Sequence, residues 1–279
     1  MENSIDGSAE SWMLLRCADC GMVYLREFID YSRQQEEFDW ADTLPARRQR
    51  RRNSGGNIFR RLRRRLRPDR SLKTMAVVYR HKPGGRLCDF GCGTGKLLAH
   101  AVESFSTVGI DISSRQAEGA RRRVPDASIV VAPVVESNLP SASFDVVTMQ
   151  SYIEHESNPM AALRAAWELL NPGGVLVIKT PNHDSWNRRL RSGRWCGYRF
   201  PDHCNYYTIG TLAASTLRAG FRILPGSWRD RLVFSDNMYM AVEKPAAEKV
   251  NSAERSGQHN RRSAELSHLY VTSCEFAEA

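Results

Sequence analysis

Between Arg86 and Asp111 the chain reads RLCDFGCGTGKLLAHAVESFSTVGID. A short apolar run carries an acid near its end (Leu87-Cys88-Asp89-Phe90), and glycines follow at alternate positions, Gly91, Gly93 and Gly95. A helical stretch comes next, and a second apolar run closes on Asp111. Strand, glycine turn, helix and acid-capped strand form the nucleoside-binding half of an open α/β sheet. The glycines let the backbone approach a ligand without a Cβ in the way. The first amides of the following helix lack partners and can meet polar ligand groups. A carboxylate in the place of Asp111, 22 positions after Asp89, accepts hydrogen bonds from vicinal ribose hydroxyls.

The spacing separates one nucleoside ligand from another. A dinucleotide site needs G-x-G-x-x-G, so that the helix leaves room for a pyrophosphate; here Lys96 stands where the last glycine would be. Asp89, two residues before Gly91, would repel a pyrophosphate but suits a cationic amino or sulfonium group. D-x-G-x-G-x-G followed by V-G-I-D resembles the site of class I S-adenosylmethionine-dependent methyltransferases. Further along, Ser143-Phe144-Asp145-Val146-Val147 resembles the start of that family's fourth strand. Ser151-Tyr152-Ile153-Glu154-His155 resembles its "EH" loop, and Leu169-Leu170-Asn171-Pro172-Gly173-Gly174 resembles its L-L-x-P-G-G turn. Thr180-Pro181-Asn182, Gly193-Arg194-Trp195, Pro201-Asp202-His203 and Ala219-Gly220-Phe221 resemble the ubiquinone-type and sugar- or natural-product-type branch.

The resemblance, which runs from about Leu14 to Lys244, implies a Rossmann-like α/β fold: a mostly parallel sheet with an antiparallel C-terminal hairpin, in three αβα layers. It implies S-adenosyl-L-methionine as cofactor. Asp89, Gly91, Cys92, Gly93 and Gly95 would hold its amino acid end, Asp111 the ribose, and Ile112 one face of the adenine. Relatives carry an acid for the adenine amine where this chain has Pro133, so that contact falls to the backbone of Val134 or Val135. Gln150, ending the fourth strand, would face the sulfonium. His155 and His203 are the candidate bases, since imidazole titrates near about 6.5. Each has a structural alternative, His155 as a ring bonding its own loop. Trp186, Trp195, Tyr198, Tyr206 and Tyr207 either line an acceptor pocket or form the small core of the segment 181–206 that should hold the acceptor. The expected partner is a small-molecule methyl acceptor of sugar, quinone, lipid-linked or natural-product type.

Charge is unevenly placed. The formal net charge is +9, yet Arg47 to Arg70 alone holds twelve arginines against one acid, Asp69. The chain is a near-neutral domain with a basic insert. Ile58, Phe59, Leu62 and Leu66 fall at helical spacing within it. Three readings of that insert stand: a helix on the sheet with solvated arginines, an anionic membrane surface, or nucleic acid. Few aromatic residues interleave its arginines, which argues against nucleic acid. A catalytically inactive adaptor on this fold is the non-enzymatic alternative, and an NAD(P)-dependent oxidoreductase the other enzymatic one, opposed by Lys96.

The expected organisation is a disordered 1–13, a partial zinc-ribbon-like hairpin and lid over 14–45, the arginine-rich 46–70, a methyltransferase domain over 71–244, and a disordered 245–279. Cys17 and Cys20 form one C-x-x-C knuckle without a second pair. Zinc takes four ligands, so the pair reads first as a structural turn and only second as a metal site. No apolar run approaches the about 18 residues of a membrane span, the amino-terminal residues are polar, and the seven cysteines are scattered. A cytoplasmic setting follows, peripheral to a membrane if the basic insert binds one. Strands are expected near 86–90, 106–111, 128–132, 144–150, 174–180, 221–228 and 237–243. Helices are expected near 95–104, 114–122, 158–170 and 208–219, with an irregular insert at 181–206.

Overall fold

The computed structural model describes residues 12–27, 69–227, 230 and 234–246. Nearly all of the expected disordered tails and of the arginine-rich segment, and the lid, fall on 1–11, 28–68 and 247–279, outside the described residues. The described chain opens with a hairpin, β1 (Leu14–Arg16) and β2 (Val23–Leu25). Then follow α1 (Arg70–His81), β3 (Gly85–Phe90), α2 (Leu98–Ala101), β4 (Phe105–Asp111), α3 (Ser114–Arg123), β5 (Ser128–Val131), β6 (Phe144–Gln150), α4 (Pro159–Leu169) and β7 (Leu170–Pro181). The last elements are α5 (Trp186–Arg191), β8 (Asn205–Tyr206), α6 (Ile209–Arg218), β9 (Arg222–Ile223) and β10 (Asn237–Glu243).

Seven strands form one sheet in the order β5-β4-β3-β6-β7-β10-β9. β5, β4, β3, β6 and β7 run parallel; β10 is antiparallel to both β7 and β9. This is the mostly parallel sheet with an antiparallel terminal hairpin expected from the sequence. Strict alternation along the strands sorts side chains into two layers. On β7 and β10, Leu176, Ile178, Met238, Met240 and Val242 pack with α4 and α6 through Leu163, Ala166 and Leu212. Val175, Val177, Tyr239 and Ala241 pack on the other face with α1, α2 and α3 through Met75, Val78, Leu98 and Ala120. Helix starts are set by side chains that satisfy orphan amides: Asp69 caps α1, Ser113 caps α3, and Asn158 with Pro159 opens α4.

Three elements differ from expectation. The helix after the glycine turn covers only Leu98–Ala101, because Gly93 and Gly95 have left-handed φ of 53° and 72° that helical geometry excludes. β9 is two residues long rather than eight; Pro225 has no N–H with which to extend the ladder. The insert is not irregular throughout. It holds α5 and β8, and β8 joins β2 as the third strand of a small sheet ordered β1-β2-β8. Leu25, Trp195, Phe200 and Tyr206 are the buried centre of that sheet's core. No helix of the described residues is long and apolar enough to cross a membrane.

Candidate functional site

The C-terminal ends of the parallel strands open into a cleft of about 1070 Å³, at the upper end of the range of small-ligand sites and roomy enough for two reactants. Gly91, Gly93, Asp111, Ile112 and Val134 line one part of it, and Ser151, His155, Lys179, Trp195 and His203 another.

The glycine turn is built for contact. A Cβ on Gly91 would lie 2.7 Å from Tyr152 Cδ2, whereas one on Gly93 would meet nothing within 4 Å. Gly93 thus leaves its backbone bare to the cleft, and its N–H donates to Asp111 Oδ2 at 2.7 Å. Asp111 Oδ1 accepts from the Ser113 N–H at 2.9 Å. Two backbone amides thus fix the carboxylate at the mouth of the glycine turn.

Asp89 lies in register with Thr148 of β6, whose hydroxyl donates to Asp89 Oδ1 at 2.6 Å. The carboxylate is 2% exposed. Burial, opposed by the Thr148 bond and assisted by the Asp111 charge, pushes its pKa up to about 7. A carboxylate in that condition gains from a cation brought by a ligand.

Other residues singled out in the sequence sit differently. Cys92 and Gly95 belong to the turn but face the helix layer: Cys92 is buried with Leu97 and Leu98, and Gly95 abuts Ala120. Gln150 does not face the cleft. Its amide is spent on α1, accepting from Thr74 Oγ1 at 2.5 Å and donating to Ser71 Oγ at 3.1 Å. Among the insert's aromatic residues, Trp195, Tyr198 and Tyr206 pack together and Tyr207 joins the main core, while Trp186 is exposed. Cys17 and Cys20 flank the β1–β2 turn without a disulfide between them, and no third ligand group joins them among the described residues.

The two histidines meet. His155 Nδ1 donates to the Asp202 carbonyl at 2.7 Å, and His203 Nδ1 to the Gly197 carbonyl at 2.7 Å. The rings stand edge to face, 4.6 Å apart. With Nδ1–H committed to a carbonyl, the acceptor lone pair of each neutral ring is on Nε2. Burial, then the charges of His155 and Arg199, hold His203 well below the ordinary imidazole pKa. The loop around them is clasped from the insert. The Cys204 and Asn205 amides donate to the Glu154 carbonyl, and Asn205 Nδ2 to Ile153 and Glu156 carbonyls. Glu154 accepts from Thr180 Oγ1 at 3.0 Å and brings a carboxylate within 4.8 Å of donor atoms of both histidines.

Lys179 and Asp236 line the cleft without having been singled out in the sequence. Asp236 gathers Trp195 Nε1, Asn187 Nδ2 and Ser185 Oγ onto one carboxylate. For Lys179 a signal was present: a charged residue closing the apolar run Val175-Leu176-Val177-Ile178. For Asp236 there was none.

A family model described as a methyltransferase domain matches residues 57–225. The chain belongs to the methyltransferase domain family. Its sheet is that of the class I S-adenosylmethionine-dependent methyltransferases, and the Gly93–Asp111 turn fits the nucleoside of S-adenosylmethionine. An S-adenosylmethionine-dependent methyltransferase from Thermotoga maritima superposes with a TM-score of 0.51 at 21% identity, over 62% of this chain and 89% of its own. One from Mesorhizobium loti gives 0.50 at 19%, over 62% and 96%. Among curated relatives, a ubiquinone biosynthesis O-methyltransferase of Xanthomonas campestris is 36% identical over 36% of this chain and 44% of its own. A dTDP-3-amino-3,6-dideoxy-alpha-D-glucopyranose N,N-dimethyltransferase of Streptomyces fradiae is 34% identical over 52% and 51%. The matches span about half of the length of these curated relatives.

Proposed function

We propose that the protein transfers a methyl group from S-adenosylmethionine to a small-molecule acceptor held beneath the 181–206 insert. The observation that carries this is the confluence, in one cleft, of the Gly93–Asp111 cradle with the His155–His203 pair. When bound, the cofactor supplies an electrophilic sulfonium methyl. Asp89 takes its amino group, Asp111 its ribose, and Ile112 and Val134 flank its adenine.

The leaving group of such a transfer is neutral, so the protein's contribution is to orient the acceptor, exclude water and remove a proton. His203, kept neutral by burial, and His155 both offer Nε2 as acceptor for a hydroxyl or ammonium proton. Their Nδ1–H bonds to backbone carbonyls hold the rings in that tautomer. The names of the relatives above support an oxygen or nitrogen acceptor of ring type. Calorimetric titration with S-adenosylmethionine tests the reading: micromolar binding is expected, weakened at least about tenfold in Asp111→Ala, which deletes charge-assisted bonds. A wild type that does not bind, or an Asp111→Ala variant that binds equally well, refutes it.

A further inference from the structure

Lys179 is a cleft residue for which the chemistry above has no use. It stands near the end of β7, in register with Gln150 on one side and Tyr239 on the other. Its side chain lines the cleft although the residue is only 2% exposed. An ammonium has three N–H donors and no acceptor. Among the described residues Ser151 Oγ, at 2.5 Å, is its hydrogen-bond partner, and no carboxylate of theirs forms an ion pair with it. Ser151 is shaped for that contact. It has a left-handed φ of 56°, uncommon outside glycine and characteristic of functional sites, and its N–H donates to the Lys179 carbonyl at 2.8 Å.

A charge withdrawn from water needs a counter-ion or a full set of hydrogen bonds. Among the described residues Lys179 has neither. Burial brings its pKa down to about 8, while the Glu154 charge acts in the opposite sense and Arg70 and Arg199 add to the lowering. Three cations, Arg70, Lys179 and Arg199, therefore share this part of the cleft wall. What completes the donor set of Lys179 is negative charge from a ligand. Besides Arg70 of α1, the charges that act on Lys179 are those of Glu154 and Arg199, from the histidine side of the cleft, and Lys179 in turn acts on His203. Asp89 and Asp111, assigned above to the cofactor, are not among them.

We propose that the methyl acceptor is an anion, and that Lys179 is the counter-ion that binds its carboxylate, phosphate or ionised oxygen beside the His155–His203 pair. This rests on the methyltransferase reading and adds a substrate class to it: a neutral acceptor would leave a buried ammonium unsatisfied in the loaded enzyme, whereas an oxyanion fills its free donors and is held against the proton acceptors.

Lys179→Met, close in volume and uncharged, is the decisive variant, with Lys179→Arg as its charged control. Calorimetry compares S-adenosylhomocysteine with 5′-methylthioadenosine, which lacks the amino acid carboxylate. Inorganic phosphate and acetate are then titrated into the S-adenosylhomocysteine-loaded protein at constant ionic strength. Both nucleosides should bind wild type and Lys179→Met alike. One of the two anions should bind the loaded wild type at a single site and bind Lys179→Met about ten- to hundredfold more weakly, with Lys179→Arg retaining it. Ligand-free Lys179→Met should melt no lower than wild type, since it removes an uncompensated buried charge. If Lys179→Met weakens S-adenosylhomocysteine but not methylthioadenosine, Lys179 serves the cofactor's carboxylate and the proposal falls. It also falls if neither anion binds the loaded wild type, or if binding survives in Lys179→Met. A lower melting temperature with unchanged anion binding marks a structural lysine and equally overturns it. Failure of the wild type to bind S-adenosylhomocysteine at all instead refutes the methyltransferase reading.

Discussion

Asp89 should make cofactor binding pH-dependent, in a direction and by an amount that follow from its surroundings. Its carboxyl, 2% exposed, is raised from 3.8 to about 7, chiefly by burial. A carboxyl whose folded pKa is raised contributes fully to stability below its unfolded pKa of about 4. That contribution is lost as the pH climbs through the folded value. Three units at about 1.36 kcal/mol each set a ceiling of roughly 4 kcal/mol on the cost of ionising it in the ligand-free protein. An ammonium placed against Asp89 recovers that cost only when the group is ionised, so below pH 7 binding must first remove a proton. S-adenosylhomocysteine should accordingly bind about tenfold more weakly at pH 6 than at pH 8. Calorimetry in buffers of different ionisation enthalpy should show proton release near pH 6. Asp89→Asn should bind weakly at every pH with a flat profile, and without ligand should be more stable than wild type at pH 8 but not at pH 4. A flat wild-type profile, or an Asp89→Asn profile that parallels it, refutes the assignment of Asp89 to the cofactor's amino group.

The two glycines of the cradle should separate by mechanism. Gly91→Ala meets both a left-handed φ of 65° and Tyr152 Cδ2 at 2.7 Å, so it should lose more than the about 1–2 kcal/mol that left-handed backbone costs alone. Gly93→Ala, at φ 53° with nothing nearby, should lose only that amount in denaturant unfolding, yet weaken S-adenosylhomocysteine by filling the surface it needs. The proton acceptors should show the opposite profile. His155→Gln and His203→Gln should leave cofactor affinity intact and lower turnover by about a hundredfold or more, as measured with labelled donor once an acceptor is found. If neither lowers it, another group takes the proton.

The strand–turn–strand frame was legible because its physics is local. A glycine turn, the acid before it and the acid closing the next strand are set within one βαβ unit, and Asp89 and Asp111 stand where their spacing puts them. Gln150 was misread because its partners are remote: it ends β6 as expected, but Ser71 and Thr74 of α1 claim its amide, and no spacing within β6 announces them. Cys92 and Gly95 show a subtler limit, since alternation along the turn does not say which side meets ligand and which meets Leu98 or Ala120.

The acceptor side is the harder half, for the same reason. It is assembled from three stretches distant in sequence: the loop after β6, the end of β7 and the insert. His155 and His203 come together only because Asn205 and Cys204 bind the carbonyls of the loop that carries His155. Ser151 reaches Lys179 only because β6 and β7 are neighbours in register. What the sequence did offer was one incongruity, a lysine closing an apolar strand. In a buried parallel strand that placement is unfavourable unless something answers the charge. Among the described residues the Glu154 charge favours the ammonium without forming an ion pair with it, so on the proposal made above the specificity of this site lies less in the aromatic insert, which is occupied with its own core, than in the charge of Lys179.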